Sequence, residues 1–442
     1  MNVLIISANS LPMSPVGAAY IAGSALDAGH QVAVFDCLPD QGDDNRFTAC
    51  LEHCKPDVVG LSIPLATCGI PENPLPNSVV FTDIRPMLQR LVTIVKQQTD
   101  ALVVAGGGGF NYFPSDWLFC LDIDFGLVGE CESSFPEFLD ACTHEKALRR
   151  VPGIIIRSGE DVYTRPWQEM KTLDAMPMPA YHLFDAPFYN RLKVPWGMVT
   201  KRGCSFGCTY CSSCFANGKE YRIKSYDRIL AEILHIKAHT GTADIIFCDT
   251  SFNCPITHAK TLCQTLTDAQ ADVQWRSGTF KPLGISQAFC SLLASSGCTF
   301  AGLSIETASA RLLANMNRGY RKDDIRSALE NLAASGIAHG ISLVLGGPGE
   351  TMASIRETFD LVASYPEITA VWVNIGVFGL TRHIQKMPPE SAAPREKTCL
   401  FQDAFYISPA LDRDELEDFI DTLGEHNNFL VQINKPWPGY AS

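Results

Sequence analysis

Three cysteines at one spacing constrain this chain more than any other feature: Cys204-Ser-Phe-Gly-Cys208-Thr-Tyr-Cys211. A C-x3-C-x2-C loop presents three thiolates, enough for three irons of a cubane [4Fe–4S] cluster that is ordinarily held by four cysteines. One iron then stays open to a small molecule, and the cluster becomes a reaction site instead of an electron carrier. Cys214, three residues beyond the loop, leaves two other arrangements open: a zinc site and a four-cysteine electron-transfer cluster.

The rest of the chain reads as α/β throughout. Residues 1–150 alternate buried apolar strands (Val3–Ala8, Gln31–Asp36, Asp57–Pro64, Ala101–Ala105, Asp124–Val128) with helical stretches. That alternation predicts a doubly wound, Rossmann-like parallel sheet covered on both faces, with ligands outside the carboxyl ends of its strands. Asp36, ending the second strand, is expected to be an N-cap. Residues 151–195 read as a hairpin around Ser158-Gly159-Glu160 and an aromatic, proline-punctuated connecting segment. Over 196–380 six further β/α units predict a partial or complete TIM-like barrel, with chemistry at the carboxyl ends of its strands. The cysteine loop follows the first of them. Residues 381–442 form a short tail with one clear helix, Asp412–Leu423.

Composition narrows the function. At 442 residues the chain is long enough for two domains. A net charge of −13 argues against nucleic acid as a partner, because phosphate binding needs a basic face. No apolar run is long enough to span a bilayer, and MNVLIISANS reads as a buried strand, not a signal peptide. The expected compartment is therefore the cytoplasm, with no membrane partner. There the 17 cysteines are thiols or ligands, not disulfides.

The cysteine loop, placed after a strand that opens a β/α barrel, resembles the radical S-adenosylmethionine (SAM) superfamily. Later segments fit in order: Asp249-Thr250-Ser251-Phe252 after the second strand, Gly302–Glu306 at the fourth, Asn315-Met316-Asn317-Arg318-Gly319 beyond it, and Gly346-Gly347-Pro348-Gly349-Glu350-Thr351 after the fifth. The resemblance implies that Cys204, Cys208 and Cys211 hold the cluster, whose open iron chelates SAM and whose electron generates a 5′-deoxyadenosyl radical. It implies SAM contacts from Tyr210, Asp249, Thr250, Ser304, Glu306, Gly346 and Gly347, and an external one-electron reductant of flavodoxin or ferredoxin type.

Residues 1–150 resemble the cobalamin-binding domain that precedes this barrel in one large subclass. Pro15, Val16 and Gly17 at the first helix, Ser62 after the third strand, Gly106, Gly107 and Gly108 after the fourth, and Gly129 and Glu130 after the fifth are the positions the resemblance assigns to the corrin. None of the ten histidines sits in an Asp-x-His-x-x-Gly motif, so the lower face of cobalt is expected to be open or solvated. A scaffold domain without corrin is the alternative.

Together the two resemblances imply a cobalamin-dependent methyltransferase acting on an unactivated carbon of a small-molecule or natural-product intermediate. Cyclisation or rearrangement without net methyl transfer is the alternative within the class. A non-catalytic cobalamin sensor or carrier with a degenerate barrel is the alternative outside it. Substrate contacts are the least determined. Arg276, read as lying at the third strand's end, and Arg382, with His383, are the candidates for an anionic substrate group. Cys131 and Cys214 are candidate hydrogen-atom donors.

Overall fold

Val3, Leu4, Ile5 and Ile6 are all buried, which requires a strand covered on both faces. They lie in β1 (Asn2–Ser7), flanked in parallel by β2 (Gln31–Asp36) and β3 (Val58–Ser62). The sheet continues through β4 (Leu102–Gly106) and β5 (Phe125–Leu127) in the order β2-β1-β3-β4-β5. The chain reverses direction across the sheet between β1 and β3, which is where open α/β sheets place their ligand crevice. The hairpin β6 (Ile154–Ser158) and β7 (Asp161–Thr164) extends this sheet as two antiparallel strands. Asp36 caps the turn after β2: its Oδ1 accepts from Leu38 N at 3.4 Å and its Oδ2 from the Tyr189 hydroxyl at 2.6 Å.

The computed structural model describes residues 1–64, 83–142, 144–211, 217–379, 404–426 and 430–434. Contacts divide the chain into two units. Among the described residues the first holds 1–64, 83–197 and 222–243, so a helix from the middle of the chain, α1 (Tyr226–Thr240), belongs with the amino-terminal sheet. It is tied there by a buried cluster. Glu232 Oε1 accepts from the Tyr20 hydroxyl, and Glu232 Oε2 accepts from Lys224 Nζ at 2.6 Å.

The second sheet is built from β8 (Trp196–Met198), β9 (Asp244–Phe247), β10 (Gln274–Phe280), β11 (Cys298–Glu306), β12 (Ala338–Leu345), β13 (Ile368–Ile375) and β14 (Leu430–Asn434). These seven strands are arranged in sequence order, with β8 and β14 at the two edges. The pairings from β9 to β14 are parallel. This is the partial form of the β/α barrel. Helices Ile256–Asp268, Gln287–Ser295, Lys322–Ser335 and Met352–Ala363 alternate with the strands. The seventh strand, β14, lies in the tail, where the sequence reading has only a helix. Among the described residues no helix is long and apolar enough to cross a membrane.

Candidate active site

The carboxyl ends of the parallel strands carry a cavity of about 250 Å³. Cys204, Cys208 and Cys211 all line it, together with Tyr210 from the same loop, Thr250 after β9 and Glu306 at the end of β11. The cavity also takes Lys281, the residue after β10, and Arg318, with Ser342, Val344 and Asn374 on the β12 and β13 side. Every one of these residues belongs to the second unit.

Local contacts fix the loop. Cys204 N donates to Gly218 O at 3.1 Å, and Thr209 N donates to Met316 O at 3.1 Å. Asn317 Nδ2 donates to Gly207 O at 2.9 Å. Thr250 Oγ1 donates to Gly203 O at 2.6 Å. Arg318 is the hub. It is 2% exposed and donates Nη1 to Cys208 Sγ at 3.2 Å and to the Tyr210 hydroxyl at 2.6 Å. It also donates Nη2 to Ser304 O at 2.7 Å and Nε to the Tyr320 hydroxyl at 2.7 Å, and it pairs with Glu306 at 3.1 Å. Burial pushes the Cys208 thiol up, while Arg318 and Lys281 pull it down. Burial likewise raises Cys204. Burial wins in both, so the thiolate form that iron requires is stabilised by the metal on binding, and the two cations lower its cost at Cys208.

The donor set fits an open-sided cluster. Three thiols share one cavity, and among the described residues no fourth cysteine or histidine lines it. Among the described residues no three His, Cys, Asp or Glu side chains converge on a single ion. A cubane does not need that convergence, because each cysteine ligates a different iron.

Other residues singled out from the sequence lie elsewhere. Asp249 does not line the cavity. Its Oδ1 accepts from Thr200 N at 2.7 Å and Lys201 N at 3.2 Å, and its Oδ2 from Thr200 Oγ1 at 2.6 Å and Lys201 Nζ at 2.9 Å. The carboxylate is spent on holding the strand ends together. Ser304 gives its carbonyl to Arg318 and Tyr320. The backbone N–H groups of Gly346 and Gly347 donate to Glu350 Oε2 at 2.7 and 3.2 Å. A side chain at Gly347 would meet only the mobile tip of Met316, Cε at 2.5 Å. Arg276 stands near the start of β10, not at its carboxyl end, and its Nη2 donates to both carboxylate oxygens of Asp244 at 2.7 and 2.8 Å. The reason is the length of the strand: it runs on to Phe280, so Lys281 occupies the carboxyl end. Arg382, His383 and Cys214 lie outside the described residues. Lys281 and Arg318 are the two charges the site assignment from sequence leaves out. Arg318 had a signal in the turn Asn315–Gly319; Lys281 had none.

Glu350 makes a testable contribution to the glycine loop. It is fully buried, its Oε1 has no hydrogen-bond partner, and burial raises its pKa from the usual 4.5 to about 7, against the pull of the two glycine N–H groups. A carboxyl raised on folding stabilises fully below its unfolded pKa, and that stability is lost as pH rises through the folded value. Glu350→Gln removes the ionisation. It is expected to be more stable than the parent at pH 8 by on the order of 1–3 kcal/mol, with the advantage shrinking as pH falls and gone only at about pH 4, below the unfolded pKa. Urea midpoints at the two pH values measure the difference.

In the first unit the structure brings Pro15, Val16, Gly17 and Ser62 to the crevice between β1 and β3: Pro15 precedes the helix Val16–Asp27, and a side chain at Gly17 would stand 3.6 Å from Ser62 Oγ. Gly106, Gly107 and Gly108 follow at the carboxyl end of β4. Gly107 has φ +103°, and a side chain there would meet Ile63 O at 2.5 Å. Gly129, after β5, receives the Asn111 side chain on its N–H at 3.0 Å. Glu130 does not join them. Its carboxylate is held by Arg222, with Oε1 accepting from Nη2 at 2.5 Å and Oε2 from Nη1 at 2.7 Å, and Oε2 also accepts from Met170 N at 2.7 Å. Cys131 is buried, with its thiol against Leu127 O and Gly129 O.

A three-thiol cavity over a parallel β/α sheet, on a chain that also carries a doubly wound parallel sheet with its crevice at β1 and β3, defines a two-domain cofactor enzyme. The chain matches the radical SAM superfamily over residues 198–362 and the B12 binding domain over residues 2–139. These two matches make it a radical SAM enzyme that also carries a B12 binding domain. Its cofactors are those of the two domains: a [4Fe–4S] cluster, SAM and cobalamin. An uncharacterized methyltransferase of Pyrococcus horikoshii is 25% identical over 347 residues, covering 78% of this chain and 72% of the relative. The cytidylyl-2-hydroxyethylphosphonate methyltransferase of Streptomyces wedmorensis is 21% identical over 410 residues, covering 78% of this chain and 72% of its own. The solved radical SAM methyltransferase TsrM from Kitasatospora setae, with cobalamin and a [4Fe–4S] cluster bound, superimposes with a TM-score of 0.79 at 19% identity, over 98% of this chain and 93% of that one.

Proposed function

We propose that this protein transfers a methyl group from SAM, by way of cobalamin, to an unactivated carbon of a small molecule. The observation that carries the reading is the single cavity that gathers Cys204, Cys208 and Cys211 with Thr250, Glu306, Lys281 and Arg318. The cluster, when bound, supplies the single electron that cleaves SAM and so makes a carbon radical. The chain's own residues do the rest. The three cysteines hold three irons and leave the fourth open. Arg318 fixes the orientation of Tyr210 and shields Cys208 from water. Thr250 and Glu306 are the polar groups that meet SAM, and both are already immobilised, Thr250 by Gly203 and Glu306 by Arg318. In the first domain Pro15–Gly17, Ser62, Gly106–Gly108 and Gly129 form the loops that receive the corrin.

Relatives with methyl acceptors as different as cytidylyl-2-hydroxyethylphosphonate and tryptophan support a small-molecule acceptor. A small one-electron carrier is the reductant. The test is anaerobic incubation of the reconstituted protein with SAM and dithionite, paired with gel filtration in hydroxocobalamin. Formation of 5′-deoxyadenosine and co-elution of the corrin are expected. Neither product nor corrin with a full cluster would overturn the proposal.

A further inference from the structure

Lys281 is the unmatched charge of the cluster cavity. It is 8% exposed and lines the cavity at the carboxyl end of β10. Among the described residues its ammonium has neither a hydrogen-bond acceptor nor an ion-pair partner, whereas its backbone is pinned to Asn253 on both sides: Lys281 N donates to Asn253 Oδ1 at 2.7 Å, and Lys281 O accepts from Asn253 Nδ2 at 2.8 Å. The other cation, Arg318, is already matched by Glu306 at 3.1 Å. The two cancel, and Lys281 leaves the cavity with a surplus positive charge.

An ammonium held this far from water costs several kcal/mol unless an anion meets it. Burial and then the Arg318 cation depress its pKa, while Glu306, Cys208 and Cys204 work to keep it charged. Among the described residues no carboxylate stands within ion-pair distance of it, so the matching anion comes with whatever fills the cavity. An oxidised cubane core of about +2 held by three thiolates carries about −1, and one added electron takes it to about −2. A fixed cation therefore stabilises the reduced state more than the oxidised one.

We propose that Lys281 is the countercharge of the reduced cluster, raising its midpoint potential into the range where a small one-electron carrier can reduce it. This rests on the assignment of Cys204, Cys208 and Cys211 as cluster ligands. In the step concerned, one electron passes from a carrier of flavodoxin or ferredoxin type to the cluster. No bond forms or breaks, and Lys281 keeps its proton. Lys281 acts on the cluster through space and is a positioning residue for charge.

The test is an anaerobic redox titration of the reconstituted full chain, followed by electron paramagnetic resonance without SAM. Lys281→Met is expected to bind the parental amount of iron and to shift the midpoint downward. At a fixed poise its reduced-to-oxidised ratio falls about tenfold, which is about 59 mV for one electron. Lys281→Arg restores the parental midpoint. Lys281→Gln gives the same shift as methionine and serves in its place if Lys281→Met does not assemble a cluster. An unmoved midpoint in the neutral variants overturns the proposal. So does an unmoved midpoint with weakened SAM binding, because Lys281 would then be holding a ligand carboxylate. A parent chain that assembles no [4Fe–4S] cluster overturns the ligand assignment itself and is distinguishable from both.

Discussion

Cys208→Ala is expected to lose the cluster almost completely: iron falls from about four per chain to well under one, and the visible thiolate-to-iron absorbance disappears. Cys204→Ala and Cys211→Ala should do the same, since a cubane with one open iron has no ligand to spare. Cys263 is the control. It is fully buried in the helix Ile256–Asp268 and does not line the cavity. Cys263→Ala is expected to keep the parental iron and cost about 1 kcal/mol through a small cavity. The comparison separates the three ligands from the many cysteines that fill core. Iron analysis on anaerobically reconstituted protein reads it out, and a Cys208→Ala variant with a parental cluster would sink the ligand assignment.

Asp249→Ala should give the largest loss of stability. The Lys201–Asp249 pair is fully buried on both sides at 2.9 Å. Burial alone pushes the Asp249 carboxyl up, but Lys201 and Thr200 override it and hold the group below the usual carboxylate range. Its stabilisation is therefore present at neutral pH and lost only as pH falls through the depressed value. Truncation leaves Lys201 Nζ with the Phe252 carbonyl alone. Breaking a buried pair on one side costs about 3–5 kcal/mol. The exposed pair Arg46–Asp40, with side chains 62% and 29% accessible, sets the contrast: Asp40→Ala should cost no more than about 1 kcal/mol. Denaturant midpoints measure both. Were Asp249 a SAM contact, as its place after the second barrel strand implies, Asp249→Ala would instead keep its midpoint and lose SAM affinity.

Asp249 also shows where sequence reading stops. Its position at a strand end is visible locally, but its partners at Thr200 and Lys201 lie 48–49 residues away and only the fold supplies them. Glu130 is a second case, captured by Arg222 at a separation of 92 residues. The cysteine loop, by contrast, is legible because its ligands are close in sequence and chemically distinctive. The strands of the first sheet are legible because runs such as Val3–Ile6 have no reading other than burial.

The sequence reading ends the third barrel strand at Ser277, but β10 runs three residues further, to Phe280, because β11 continues beside it: Ser277 pairs with Ala301 and Phe280 with Leu303. Gly278 and Gly302 let the strands approach: a side chain at Gly302 would meet Gly278 Cα at 2.8 Å. Those three extra residues move Arg276 away from the site and bring Lys281 into it. β14 is not legible locally, because five residues of ordinary alternation become a strand only against the edge of β13.

The most direct test of the two-cofactor reading is a labelling experiment on the reconstituted protein with hydroxocobalamin, a low-potential reductant and SAM carrying a trideuterated methyl group. Mass spectrometry of the corrin fraction is expected to find the label on cobalamin, and Cys208→Ala provides the comparison for dependence on the cluster. Unlabelled cobalamin in a parent chain that holds both corrin and a full [4Fe–4S] cluster would contradict methyl transfer as the function.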